Sequence, residues 1–299
     1  MKAPETSSPP ENAPGPPDHL LIQTVTGCNG RCRFCPNGKT RRWVPVGRRM
    51  EWNLFRSVVD QCLAIGVRRF SVYLMNEPML DPELPQRIAY IAARIRKPQY
   101  VKVISNGSLL TERMARALLD SGLDKLKFSV QSLDPRLYRE ITGLPLARTL
   151  KNIERFTALK AARNQKRPRL EAAMVDSPAT HAEIPEARRF WQARGVPLSV
   201  QPMENRAGHA AVSKSAGKRL ALFKHCPRMV EQLPVLQDGR VVQCCADWEQ
   251  HGVIGDLTRE ALADVWYGVR YQELRRRLAV WDVAGTICAG CRIAATTAE

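Results

Sequence analysis

No run of the sequence comes near the 18 consecutive apolar residues of a membrane-spanning helix, and its start lacks the apolar centre of a secretory signal. The expectation is a cytoplasmic protein without a membrane partner. Helix-turn-helix and zinc-finger spacings are missing, as is any basic patch interleaved with aromatic residues. The formal net charge of +17 is therefore not read as nucleic-acid binding. Acidic residues are absent from one whole segment. Between Gly27 and Met50, Arg31, Arg33, Lys39, Arg41, Arg42, Arg48 and Arg49 meet no Asp or Glu. Such a run is either a solvated loop or a positive rim that suits a neutral or anionic substrate or an acidic protein partner.

What the sequence does have is cysteine, nine in all. In a reducing compartment that number points to metal or redox chemistry rather than to structural disulfides. Cys28, Cys32 and Cys35 lie near the start; Cys226, Cys244, Cys245, Cys288 and Cys291 fall in the last quarter. Cys62, on the apolar face of an expected helix, reads as a small buried hydrophobe.

Residues 1–19 carry six prolines and little that is apolar, which predicts a disordered lead-in. From Leu20 onward strand-like and helix-like segments alternate. "LLIQTV", "RRFSVYLM", "YVKVIS", "KLKFSV", "RLEAAMV" and "PLSVQPM" read as strands, with helical stretches between them and Thr111 placed to cap one. Six such units predict an α/β fold, an open partial (β/α)6 barrel over 20–204 with its site at the strand C-terminal ends. A polar Gly/Ala/Ser-rich linker is expected over 205–225. A separate small module over 226–299 is expected to contain a β-hairpin turned at Asp238-Gly239 and a helix broken near Gly268.

A structural zinc usually takes four protein ligands. The first group offers three cysteines, with no nearby histidine and no fourth cysteine within 25 residues. Three thiolates suit a 4Fe–4S cluster with one iron left open to a small ligand. The pattern Cys28, Cys32, Phe34, Cys35, placed just after a first strand, resembles the signature of the radical S-adenosylmethionine (SAM) superfamily. "YLMNEPMLDPEL", "ISNGSLL" and "FSVQS" resemble that family's later segments over residues 20 to 203. The resemblance implies SAM contacts at Asn76 and Glu77 toward the methionine amino group, at Ser105 and Asn106, and at Ser129 and Gln131 near the ribose or carboxylate. Asn76 stands where the family usually has glycine. It further implies reductive cleavage of SAM to a 5′-deoxyadenosyl radical, with an electron from a flavodoxin or ferredoxin.

Cys226, Cys244, Cys288 and Cys291 resemble the ligand set of the family's SPASM/twitch modules, in the version with one fully ligated auxiliary 4Fe–4S cluster. That version is known from aminocyclitol dehydrogenases of the 2-deoxy-scyllo-inosamine type. A zinc ribbon is the alternative for four cysteines. Spacing assigns Cys244 as the ligand. Neighbouring side chains in a strand point to opposite faces, so Cys245 is expected to face away from the cluster. A free thiol there can return a hydrogen atom to a substrate radical, as in epimerases of the neomycin C type. Asp247 reads either as a base or as a loop acid. The expected substrate is a small molecule: a sugar, aminocyclitol or other natural-product intermediate. Epimerisation leads the expectations, followed by dehydrogenation, peptide modification and, from a different class, zinc binding without catalysis.

Overall fold

The structure, a computed structural model, describes residues 14–37, 46–210, 217–219 and 226–294. Six parallel strands lie side by side in chain order: β1 (His19–Ile22), β2 (Arg69–Ser71), β3 (Tyr100–Ser105), β4 (Lys125–Ser129), β5 (Arg169–Asp176) and β6 (Leu198–Pro202). Between them come α1 (Trp52–Ala64), α2 (Leu84–Ala92), α3 (Glu112–Asp120), α4 (Pro135–Thr142), α5 (Leu146–Ala162) and α6 (Ile184–Gln192). Parallel neighbours need crossovers of this length, and helices are what usually supply them.

Periodicity decides the faces. In β3, Val101 and Val103 join the core shared with Ile88, Ile91 and Leu118 of the helices. Tyr100, Lys102 and Ile104 alternate with them and take the other face, toward the barrel lumen. In α1, Phe55, Val58, Val59 and Cys62 form one buried stripe at helical spacing, so Cys62 is the small core residue expected of it. Thr111 caps α3 by accepting from the Met114 backbone N–H at 3.2 Å. Gly143, at φ +72°, closes α4 in a left-handed conformation that favours glycine.

After β7 (Gly217–Arg219) the chain forms α7 (Pro227–Glu231), β8 (Gln232–Val235), β9 (Arg240–Val242), β10 (Val253–Asp256), α8 (Leu262–Tyr267), α9 (Val269–Ala279) and β11 (Arg292–Ala294). The β8–β9 hairpin turns at Asp238-Gly239 as expected. Gly239 has φ +90°, and a Cβ there would lie 2.9 Å from Thr258. Gly268 separates α8 from α9, where a Cβ would stand 2.3 Å from the Asp264 carbonyl oxygen.

The C-terminal module, the linker and the lead-in differ in detail from expectation. The C-terminal module packs directly onto the barrel rather than standing apart from it. β8 pairs in parallel with β1, so β8, β9 and β10 extend the barrel sheet to nine strands, and Trp266, Tyr271 and Leu278 share the barrel's core. The expected linker holds β7, which pairs antiparallel with β11; residues 211–216 and 220–225 lie outside the described residues. Of the lead-in, residues 1–13 lie outside the described residues, but 14–19 are part of the fold. The Gly15 carbonyl accepts from Trp266 Nε1 at 3.0 Å, Asp18 pairs with Arg68 and Arg69, and His19 opens β1. Composition suggested disorder because prolines dominate it, yet Asp18 and His19 supply strong partners at its end. Among the described residues no helix is long and apolar enough to cross a membrane.

Candidate functional site

Cys28, Cys32 and Cys35 sit in the loop after β1, at the C-terminal ends of the strands. Main-chain bonds hold this loop. Thr26 N–H donates to the Arg48 carbonyl, and Arg31 and Arg33 N–H donate at 2.8 Å to the carbonyls of Thr142 and Ile141. Those two carbonyls belong to the last turn of α4, which has no helical partner for them, so the loop satisfies the helix end. Gly27, at φ +86°, lets the chain turn where a Cβ would lie 2.7 Å from Val46. Gly30 N–H and, more distantly, the Asn106 side-chain amide approach Cys28 Sγ, at 3.3 and 3.9 Å. Burial, with the Glu77 carboxylate nearby, raises the Cys28 thiol to about 12. That environment does not make a free thiolate nucleophile, whereas coordination to iron removes the proton outright.

Glu77 is the hub behind the loop. Its backbone N–H donates to the Gly27 carbonyl at 2.9 Å, and its carboxylate accepts from Ser105 Oγ (2.7 Å), Asn106 N (2.9 Å) and Met79 N (3.0 Å). Burial raises its pKa while these three donors oppose the shift. The carboxylate thus orients the "SNGS" turn. Asn106 bonds Asn29 at 2.9 Å and accepts from Ser108 Oγ at 2.6 Å, and Asn29 in turn donates to Ser108 Oγ at 2.8 Å. From α5, Asn152 holds the carbonyls of Gly107 and Ser108. Asn29, Ser108 and Asn152 were missed in the sequence; only Asn29 carried a signal, its place between two of the cysteines. Asn76 accepts from Leu74 N through Oδ1, and its buried Nδ2 has no partner among the described residues. Ser129 ends β4 on the lumen side, and Gln131 is tied to the Val175 N–H at 3.0 Å. Phe34 is half-buried beside Cys35.

The second group is assembled from three separate places. Cys226 stands at the N-terminus of α7, Cys244 follows β9, and Cys288 and Cys291 share a single 3-10 turn, with Cys291 N–H on the Cys288 carbonyl at 3.1 Å. Burial and the neighbouring Cys226 raise Cys288, and burial pushes Cys291 up to about 11. Tyr271 senses both Cys244 and Cys226, so the four thiols surround one region. Gln243 Nε2 lies 3.4 Å from Cys288 Sγ. Four ligands of one zinc ion stand within about 4 Å of each other. Among the described residues no three His, Cys, Asp or Glu side chains are grouped to share a single ion. A fully ligated 4Fe–4S cluster likewise takes four thiolates. The three thiols of the first loop fit one that leaves an iron without a protein ligand.

Cys244 and Cys245 depart from the strand argument. β9 ends at Val242, the two cysteines sit in the turn beyond it, and their thiols hydrogen-bond each other. The expectation of opposite faces fails because no strand geometry applies there. That hydrogen bond raises Cys244 and lowers Cys245 to about 6, with Arg228 and Arg206 also favouring the Cys245 thiolate. A Cys244 bound to iron has no proton to donate, so the main cause of the lowering would be lost, and burial and Glu204, which favour the Cys245 thiol, would oppose the two arginines. Both arginines pair with Glu204. Cys245 also influences Tyr73, just past β2, which places it by the barrel mouth. Asp247 is fully buried and accepts from His251 N (3.0 Å) and Gly252 N (2.8 Å), the arrangement of a loop-holding acid.

The family model described as the radical SAM superfamily matches residues 22–162, and the SPASM iron–sulfur cluster-binding domain matches 226–292. A probable GTP 3′,8-cyclase of Methanosarcina mazei is 33% identical over 128 residues, 42% of this chain and 36% of that protein. The PqqA peptide cyclase of Granulibacter bethesdensis is 28% identical over 148 residues, 50% of this chain and 36% of that protein. The matches thus span little more than a third of these relatives. The crystal structure of BtrN in complex with AdoMet and 2-DOIA superposes with a TM-score of 0.63 at 17% identity, covering 92% of each chain. Streptococcus suis SuiB bound to precursor peptide SuiA gives 0.71 at 15% identity, covering 87% of this chain and 66% of SuiB. These likenesses establish the shared fold. Together the two family models span well over half of the residues, each over one of the cysteine groups. The chain is a radical SAM enzyme with a SPASM iron–sulfur cluster-binding domain.

Proposed function

We propose that the enzyme inverts a carbon centre of a small molecule, a sugar, aminocyclitol or other natural-product intermediate, with Cys245 as the hydrogen-atom donor. Cys28, Cys32 and Cys35 would hold the cluster that binds SAM, and Cys226, Cys244, Cys288 and Cys291 the auxiliary cluster. When bound, the first cluster and SAM supply a 5′-deoxyadenosyl radical that removes a hydrogen atom from a substrate C–H bond. The Asn76 Nδ2–H, unpartnered among the described residues, suits the SAM carboxylate better than its ammonium, since an amide N–H and an ammonium are both donors. Ser129 and Asn106 flank the same mouth, while Glu77, Ser105 and Gln131 position it. Arg31, Arg33, Arg48 and Arg49 form the described part of the basic rim, which suits an acidic flavodoxin or ferredoxin as electron donor.

What supports the reading is a thiol beside the expected cluster ligand, Cys245, whose charge acts on Tyr73 just past the end of β2. Its S–H bond would break homolytically, the hydrogen joining the substrate carbon on the face opposite abstraction. The thiyl left behind regains one electron and one proton from the external reductant and solvent. In deuterated water the wild type should place one deuterium at the inverted carbon. Cys245→Ala should still release 5′-deoxyadenosine but give no inverted product. Full turnover by that variant would reject the donor role and favour the second reading, a dehydrogenase. The fold likeness to BtrN, a radical SAM dehydrogenase, over 92% of both chains supports that alternative.

A further inference from the structure

The lumen of a barrel of this type is usually filled with branched apolar side chains. Here it is charged. Lys102 on β3 influences His19 on β1 and is itself influenced by Arg69 on β2 and Glu171 on β5, so it points inward between strands on several sides. The neighbouring cations are matched. Lys127 is 2.7 Å from Glu171, and Arg69 bridges Asp18 and Glu231. His19, bonded to Ser71 at 2.7 Å, is held neutral by burial, its pKa lowered to about 3. Lys125, the register partner of Lys102 on β4, lies over the Tyr100 ring at 3.8 Å. Among the described residues Lys102 has no hydrogen bond or contact ion pair; the Tyr73 ring lies 5.6 Å away, and Tyr100 and Glu171, the latter already paired with Lys127, act on it from farther off.

An ammonium partly withdrawn from water with no carboxylate in contact is costly, and burial already pulls Lys102 below its ordinary pKa. Tyr73 lies two residues beyond Ser71, which pairs with Lys102, so its backbone stands one layer nearer the mouth; its hydroxyl interacts with Ser71, and Cys245, Lys127 and Tyr100 also act on it. A polar column therefore runs from the proposed hydrogen donor down to an ammonium with no carboxylate in contact. We propose that the substrate carries an anionic group, a carboxylate or a phosphate, which enters the lumen past Cys245 and is bound by Lys102 with the Tyr73 hydroxyl. The inference rests on the small-molecule reading above and narrows it to acidic substrates.

The test uses wild-type protein with both clusters reconstituted and SAM bound, titrated calorimetrically with D-glucuronate, D-glucose 6-phosphate and D-glucosamine. At least one acidic sugar should bind and the amino sugar should not, and which acid binds separates carboxylate from phosphate. Lys102→Met should weaken that binding at least about tenfold, as loss of a charged hydrogen bond does; Lys102→Arg should retain it. Absence of acidic-sugar binding, equal binding of glucosamine, or unchanged affinity in Lys102→Met each overturns the proposal. If Lys102→Met does not fold, the wild-type preference for acid over amine decides the matter. Binding is read without turnover. Failure of the wild type to cleave SAM under reductant would instead count against the radical reading and leave the anion site standing.

Discussion

The two groups of thiols are built in opposite ways. Cys28, Cys32 and Cys35 lie within eight residues, and their loop is held by main-chain bonds to the end of α4 and to the Glu77 hub. Cys226, Cys244, Cys288 and Cys291 are spread over 66 residues and meet because α7, β9 and a late 3-10 turn pack against one another. The first arrangement is local and rigid, leaving one face of a cluster free for a small ligand. The second draws its thiols from separate elements and is joined to the barrel through the β1–β8 pairing, as suits a closed, fully ligated site. The contrast shows how one fold can carry a reactive centre and a closed one.

The largest effect should come from removing each group in turn. Replacing Cys28, Cys32 and Cys35 with alanine should lower iron from about eight to about four per chain and abolish reductive SAM cleavage. The same change at Cys226, Cys288 and Cys291 should remove as much iron but leave SAM cleavage measurable. Equal loss in both would erase the distinction between open and closed sites. Next in size is Glu77→Ala, which leaves buried donors on Ser105, Asn106 and Met79 unpartnered. It should cost at least about 2 kcal/mol in chemical denaturation and weaken SAM binding, without loss of the auxiliary cluster.

His19 tests the seam between the regions. The folded protein keeps it neutral, so the unfolded chain takes up the proton first as pH falls. The stability tied to its neutral state is complete above 6.5 and is lost progressively toward about 3. His19→Gln should flatten that part of the pH–stability curve in urea titrations; an unchanged slope would show that the seam titrates elsewhere. The smallest effect is expected from Arg33→Ala. Its ion pair with Glu140 at 2.5 Å is more than half exposed on both sides, so the change should cost less than about 1 kcal/mol and leave SAM affinity intact. A large loss would mean that side chains, rather than backbone, hold the first loop.

Much of this was legible before any coordinates. β3 matches "YVKVIS" residue for residue, Thr111 caps the helix it was assigned to, and the turn at Asp238-Gly239 forms where expected. These are short-range features set by side-chain alternation, capping and positive φ. The first thiol loop was visible for the same reason. Asn29, Ser108 and Asn152 were not, because each gains its role from a partner more than 40 residues away. The order of Gly15 to His19 and the conformation around Cys245 escaped for a related reason: Trp266 and the end of β9 lie far along the chain or depend on sheet register.

By itself the sequence determined the six strand–helix units, the three-thiol loop and the presence of four later thiols with one to spare, since all of these are written in local spacing. Tertiary structure alone decided that β8 joins β1, that distant thiols such as Cys226 and Cys288 act on each other, that Cys245 acts on Tyr73, and that Lys102 points into the lumen with no carboxylate in contact among the described residues. Those outcomes depend on which surfaces pack together, and no short stretch of chain contains both surfaces.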